Sequence, residues 1–266
     1  MKIIISHDVD HYKWTDHFRD LFLIKYYFKT IFYTFTGKLT IRTALKRLSL
    51  PFKNQQHRLP ELCEFDRQHH IPSTFFVGLD NALGLMYDHS AAKWILDFLS
   101  KQGFETGVHG IAYHDKAKIR EEFNTYQRLT GVPPQGMRMH YLRWHEETMS
   151  MLMDAGYHFN STLYKTAPPT INNGFIDFPV CMMDVYELKE NEKDIATSVA
   201  ESLKKIEKAA EAGMNYYTII FHDNYFDEAY PGYFHWYREM IGLLRLKGYE
   251  FISFGHAINE LKNKNA

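Results

Sequence analysis

Asp8 and Asp10 stand two residues apart in the string Ser6-His7-Asp8-Val9-Asp10, at the end of the first apolar run, Lys2-Ile3-Ile4-Ile5. A strand turns successive side chains to opposite faces, so the two carboxylates point the same way. Like charges that close repel, and a cation or a proton between them relieves the repulsion. One carboxylate holding a metal, with the other left free as a base, satisfies both. A turn aspartate or a helix N-cap explains a single Asp after a strand, but not the whole string. Two later strand-like runs end on the same residue types. One is Gly107-Val108-His109-Gly110-Ile111-Ala112-Tyr113-His114-Asp115, and the other is Tyr217-Thr218-Ile219-Ile220-Phe221-His222-Asp223. Histidine is the commonest metal ligand, and two His with one carboxylate form a catalytic zinc set that leaves one position open for water. A lone buried His is ordinarily a hydrogen-bonded core residue. Three strand ends bearing His and Asp are hard to explain as three core accidents.

These strand ends need a scaffold that brings them together. Strand-like runs recur at Lys2–Ile5, Ser73–Val77, Phe104–His109, Tyr216–Phe221 and Tyr249–Phe254, with shorter extended pieces at Gly136–Tyr141, Tyr157–Leu163 and Phe175–Val180. Between them lie helical patterns over Ala91–Gln102, Lys116–Thr130, Glu146–Ala155, Asp194–Ala212 and Phe234–Lys247, each stopped by a glycine (Gly103, Gly131, Gly156, Gly213, Gly248). Alternating strand and helix predicts a parallel α/β sheet or barrel. In such folds chemistry gathers at the carboxyl ends of strands. Asp8, Asp10, His109 and His222 all fall at or just past predicted carboxyl ends.

The 266 residues suffice for one large domain, 1–266, and no repeat or low-complexity linker divides it. A net charge of −1 without a long basic stripe argues against nucleic acid as a partner. Cys63 and Cys181 form neither a C-x-x-C pattern nor a disulfide framework, and the first apolar run is short for a signal peptide, so a cytoplasmic setting is expected. No stretch reaches the roughly 18 apolar residues of a spanning helix. The segment 18–39 stands out, being dense in Phe, Tyr, Ile and Leu and punctuated by Arg19, Lys25, Lys29 and Lys38. It reads either as an interfacial helix in weak contact with a membrane surface or as a helix packed on the barrel or lining a groove. Asp20 and several Thr residues dilute its apolar face and favour the packed reading.

The ordered set of motifs resembles the polysaccharide deacetylases of the carbohydrate esterase type. Asp8-Val9-Asp10 resembles their first motif, and Ile71–Gly78 is very like their second strand. Gly103–Gly110 looks like the lead into a His-x-x-x-His motif, Arg138 opens a segment similar to the third motif, and Ile219–His222 resembles the closing strand with its terminal His. The resemblance runs the length of the chain. It implies an irregular (β/α) barrel of about seven strands and hydrolysis of N- or O-acetyl groups from sugars with a bound divalent metal, zinc being favoured by a His/carboxylate set. It implies Asp8 as general base, Asp10, His109 and His114 as metal ligands, Arg138 as the cation holding Asp8 ionised, and His222 as general acid. It also implies an oxyanion donor in a backbone N–H near Tyr141. Aromatic residues, among them Trp14, Tyr141, Trp144 and Trp236, are candidates to stack on sugar rings, Tyr141 and Trp144 being the substrate contacts expected at the site, or are core filler.

The chain departs from that pattern at three places. The second motif histidine is expected four residues after His109, where Tyr113 stands, and His114 comes one later. An i, i+5 pair on a regular helix points about 140° apart, so His114 needs a bulge or loop at Gly110–Tyr113, and its rivals are Asp115 and no third protein ligand at all. The third motif reads Arg138-Met139-His140-Tyr141 without its expected proline. Asn160 occupies the place of an acid-pairing Asp, which predicts that His222 titrates at or below about 6.5 unless Asp223 or Asp184 reaches it. The expected function is metal-dependent deacetylation of an acetylated sugar or glycan precursor. The alternatives are hydrolysis of another non-peptide C–N bond on the same barrel, or a catalytically weakened carbohydrate-binding homologue.

Overall fold

A computed structural model describes residues 1–188 and 194–264 of the chain. Among them are ten strands: β1 Lys2–Val9, β2 Thr74–Gly78, β3 Glu105–Gly110, β4 Gly136–Met139, β5 Phe159–Asn160, β6 Thr170–Asn172, β7 Phe175–Asp177, β8 Val180–Met183, β9 Tyr216–Ile220 and β10 Glu250–Phe251. They form one sheet in the order β6-β7-β5-β4-β3-β2-β1-β9-β8, with β10 added beside the start of β1. All pairings are parallel except β6 with β7. Strands buried on both faces read as unbroken apolar runs, as Ile3–Ile5, Phe75–Val77 and Ile219–Ile220 do.

The two ends of this sheet are one stretch of chain. Only Phe178 and Pro179 separate β7, which pairs β5, from β8, which pairs β9. Pro179 has no N–H to give to a ladder, so the strand kinks there and changes partner. The Lys165 N–H bonds Val180 O at 3.0 Å and the Val180 N–H bonds Leu163 O at 2.8 Å, stitching the curl. With β7–β8 taken as one kinked strand, β1, β2, β3, β4, β5, β7–β8 and β9 are the staves of the expected irregular barrel; β6 and β10 are additions to it.

Helices cover the outside. Three of their starts are fixed by aspartate caps: Asp88 accepts from the Ala91 N–H, Asp115 from Lys118 and Asp194 from Thr197. Lys116–Thr130 ends at Gly131 with φ 81°, a conformation that glycine adopts without strain. Two expectations change. β1 runs on through His7–Val9, four residues past the predicted strand, and the last predicted strand shrinks to β10 before a helix over Phe254–Lys264.

The segment 18–39 contains helix α1, Phe22–Phe35, followed by α2, Ile41–Ser49. Of the Thr residues expected to dilute the apolar face, Thr30 is buried and bonds the Tyr26 carbonyl at 2.9 Å, whereas Thr36 is exposed. Ile24, Phe28, Ile31, Phe32 and Phe35 point outward. Among the described residues no helix is long and apolar enough to cross a membrane.

Candidate active site

Parallel pairing brings the polar strand ends together. Asp8 ends opposite Phe76 of β2, Gly78 opposite His109 of β3, and His109 opposite Arg138 of β4. On the other side β9 runs beside β1, with the Phe221 N–H bonded to Ser6 O at 3.0 Å, which delivers His222 to the same rim. Asp8, Asp10, His109, Arg138 and His222 thus converge at the carboxyl ends of the strands.

Asp8 is buried and receives Arg138 Nη1 at 2.8 Å. Burial alone would raise its carboxyl; the Arg138 guanidinium, helped by His109 and His222, outweighs that and holds it below the usual carboxylate range. Arg138 is itself fixed on every side. Its Nε donates to Ser161 O at 2.7 Å, its Nη2 to Ser161 Oγ at 2.9 Å, and its guanidinium lies 4.3 Å over the Phe76 ring. Asp8 is therefore an ionised acceptor with a locked orientation.

Asp10, His109 and His140 place three ligand atoms within 4.8 Å of one another. Asp10 Oδ1 stands 3.2 Å from His109 Nε2 and 3.3 Å from His140 Nδ1, and these two ring nitrogens are 2.9 Å apart. The remaining nitrogen of each ring faces a backbone carbonyl: His109 Nδ1 meets Arg138 O at 3.1 Å, and His140 Nε2 meets Leu83 O at 3.3 Å. A carbonyl accepts only, so a neutral ring with its N–H there turns a lone pair to the centre. Asp10 Oδ1 is buried and receives no hydrogen bond. In the neutral rings these lone pairs face one another and the Asp10 carboxylate, an arrangement a cation resolves, and carbonyl partners behind ligating histidines are the usual second support. The residues fit a divalent metal.

His114 is not part of this cluster. It is exposed, with its ring 4.5 Å from that of Tyr113, because the chain turns at Gly110–Asp115 into the helix Lys116–Thr130. Asp115 caps that helix and is not available as a ligand. His140, which is not among the ligands expected from the sequence, stands where His114 is expected. It follows β4 as His109 ends β3, so the same signal, a His at a strand end, marks it. The motif that lacks a histidine at 113 lies beside the strand whose third motif has gained one. The residues just after it, Tyr141 and Leu142, have φ of 57° and 51°, rare for side-chain-bearing residues and costly unless surrounding structure holds them.

His222 is fixed by Asp184, not by Asn160. Its Nδ1 donates to Asp184 Oδ1 at 2.8 Å and its backbone N–H to Asp184 Oδ2 at 2.8 Å. Burial lowers the affinity of the ring for a proton, but the Asp184 charge and hydrogen bond, with Asp10 and Asp8, push it up to about 10. Nε2 is left facing the cleft, 3.8 Å from Asp10 Oδ2. Asn160 instead donates to Asp177 at 2.7 Å and accepts from Thr162 at 2.6 Å, inside the barrel wall. Asp223 turns the other way and accepts the Arg58 N–H at 3.0 Å; burial pushes its carboxyl up to about 7.

A cavity of about 380 Å³ opens over these groups, lined at its rim by Tyr141, Tyr186 and Tyr225. Tyr141 is largely exposed and donates its hydroxyl to Leu83 O at 3.0 Å. Trp144 does not line the cavity and packs on the core. Trp14 and Trp236 are core residues, the indole of the latter bonding Ser202 Oγ at 3.0 Å. Of the aromatic candidates for sugar contact only Tyr141 stands at the site.

No model of a known protein family matches this chain, and no curated protein matches its sequence. Solved structures do match its fold. A protein from Mycobacterium smegmatis assigned as a polysaccharide deacetylase superposes with a TM-score of 0.67 at 16% identity, over 99% of this chain and 91% of that one. The chitin deacetylase of the fungal pathogen Colletotrichum lindemuthianum superposes with a TM-score of 0.53 at 16% identity, over 96% and 85%. A CE4-family pseudoenzyme from Bacillus anthracis superposes with a TM-score of 0.52 at 12% identity, over 97% and 65%. The fold is that of the polysaccharide deacetylases, and it houses a pseudoenzyme as well as enzymes.

Proposed function

We propose that this chain is a metal-dependent deacetylase that removes an N- or O-acetyl group from a sugar or glycan precursor. One observation carries the reading: the buried Asp10 Oδ1, without a hydrogen bond, faces two ring nitrogens whose rings each turn their other nitrogen to a backbone carbonyl. Asp10, His109 and His140 hold the cation, and zinc is the ion such a set favours. When bound, the ion acidifies a coordinated water and polarises the acetyl carbonyl.

The chain's own residues supply the proton transfers. Asp8, held ionised by Arg138, accepts the proton of the attacking water. His222, kept protonated by Asp184, gives its Nε2 proton to the leaving amine or alkoxide. The products are acetate and a free amino or hydroxyl group on the sugar. The backbone amide at Tyr141 supports the oxyanion from the edge of the cavity, and the Tyr141 ring supports the sugar. The fold neighbours named as chitin and polysaccharide deacetylases support this substrate class.

The test is acetate release from N-acetylglucosamine oligomers and from an O-acetylated glycan, before chelation, after it and after adding back zinc. Release that disappears and returns with the metal is expected. Acetate release that survives chelation unchanged, or a zinc-loaded protein without any, contradicts the reading.

A further inference from the structure

We infer that the outer face of α1 and α2 docks on the surface of an anionic lipid bilayer. The first observation is apolar exposure. Ten of the eighteen exposed large apolar side chains among the described residues fall between Phe18 and Phe52. Phe28, Phe35, Leu45 and Phe52 are 71%, 88%, 63% and 86% exposed. Scattered exposed apolar residues are ordinary, but a contiguous group of this kind marks a contact surface. α1 is apolar on both sides, with Phe22, Leu23 and Tyr26 packed against the core. Thr30 is buried on the inner side, while Ile24, Phe28, Ile31 and Phe32 face out.

The second observation is charge, and it selects the partner. Between Asp20 and Glu61 the chain has no acidic residue and eight lysines and arginines, in a protein whose net charge is −1. Lys25, Lys29, Lys38, Arg42 and Lys53 are all exposed alongside the aromatic and aliphatic residues. Phenylalanine, leucine and isoleucine interleaved with basic residues enter the headgroup boundary of an anionic leaflet, where both the apolar area and the charge contribute. A second copy of this chain would set like charges against each other. Length agrees with lying on the bilayer and not crossing it, since the 14 residues of α1 span about 21 Å against a hydrocarbon core of about 30 Å.

The first turn of α1 adjoins the candidate active site on its inner side. Phe22, the first residue of α1, packs its ring 5.1 Å from that of His11, and His11 lines the cavity. The inference does not depend on the proposed reaction, because binding is read without turnover.

The test is co-sedimentation of the full chain with vesicles of phosphatidylcholine plus phosphatidylglycerol and with vesicles of phosphatidylcholine alone. Binding to the anionic vesicles is expected, weakened by salt. The double variant Phe28→Ser/Phe32→Ser should lower the bound fraction about tenfold or more, and Lys25→Gln/Arg42→Gln should remove the preference for anionic lipid. Both pairs change exposed side chains, so thermal melting that matches the wild type confirms folding. A wild-type protein that stays in solution with both vesicles overturns the inference, as does undiminished binding by the phenylalanine variant. So does a lipid-free dimer, seen by sedimentation, that the same variant dissociates.

Discussion

His222 and Asp184 are joined twice, ring Nδ1 to Oδ1 and backbone N–H to Oδ2, both at 2.8 Å. One carboxylate thus fixes the rotation of the ring and favours its charged form. The acid function of His222 is present below its pKa and lost as pH rises through it, and the folded environment places that pKa at about 10. Asp184→Asn should therefore move the alkaline limb of kcat/KM to lower pH, by about 1–3 pH units. Asn160→Asp should leave that limb where it is, because Asn160 bonds Asp177 and Thr162. The measurement is the pH profile of both variants on one acetylated substrate. An unmoved limb in Asp184→Asn would show that another group is the acid.

Asp8 touches Arg138 and is not a member of the three-atom ligand cluster. Asp8→Asn should keep the metal and lower kcat by ~10²–10⁴. Metal content and turnover are measured on the same preparation. Near wild-type turnover would remove Asp8 from the base role; loss of the metal would make it a ligand.

His7 and Asp66 form a buried pair behind the site. His7 Nε2 meets Asp66 Oδ2 at 2.9 Å and Nδ1 meets Phe221 O at 2.8 Å, next to His222. Asp66 also accepts from Ser73 at 2.6 Å and Tyr237 at 2.8 Å. Removing one partner leaves a buried charge with too few donors, so His7→Phe should destabilise the fold by about 3–5 kcal/mol. Urea unfolding of wild type and variant gives the difference. A change well under 1 kcal/mol would mean the pair contributes little.

The scaffold was legible where one rule governs. The strands buried on both faces appear as apolar runs, and glycines at 131 and 156 mark helix ends with φ of 81° and 97°. The strand-end rule found Asp8, Asp10, His109 and His222, because position along a strand fixes which rim a residue reaches. What failed depended on contacts across the barrel. Whether His114 or His140 faces Asp10 is set by how β3 and β4 lie side by side, and no local pattern encodes that. The partner of His222 likewise comes from the far end of β8, a distance of 38 residues in sequence. The inward turn of Thr30 was hidden for the same reason, since the barrel decides which side of α1 it covers.

Metal stoichiometry in two histidine variants tests the central claim most directly. The zinc content of purified wild type, His140→Ala and His114→Ala is measured after equilibration with a small excess of zinc and removal of the unbound ion. The wild type and His114→Ala should each retain one zinc per chain, and His140→Ala should lose it while remaining folded. Full zinc occupancy in His140→Ala, or its loss in His114→Ala, would contradict the assignment of Asp10, His109 and His140 as the metal centre.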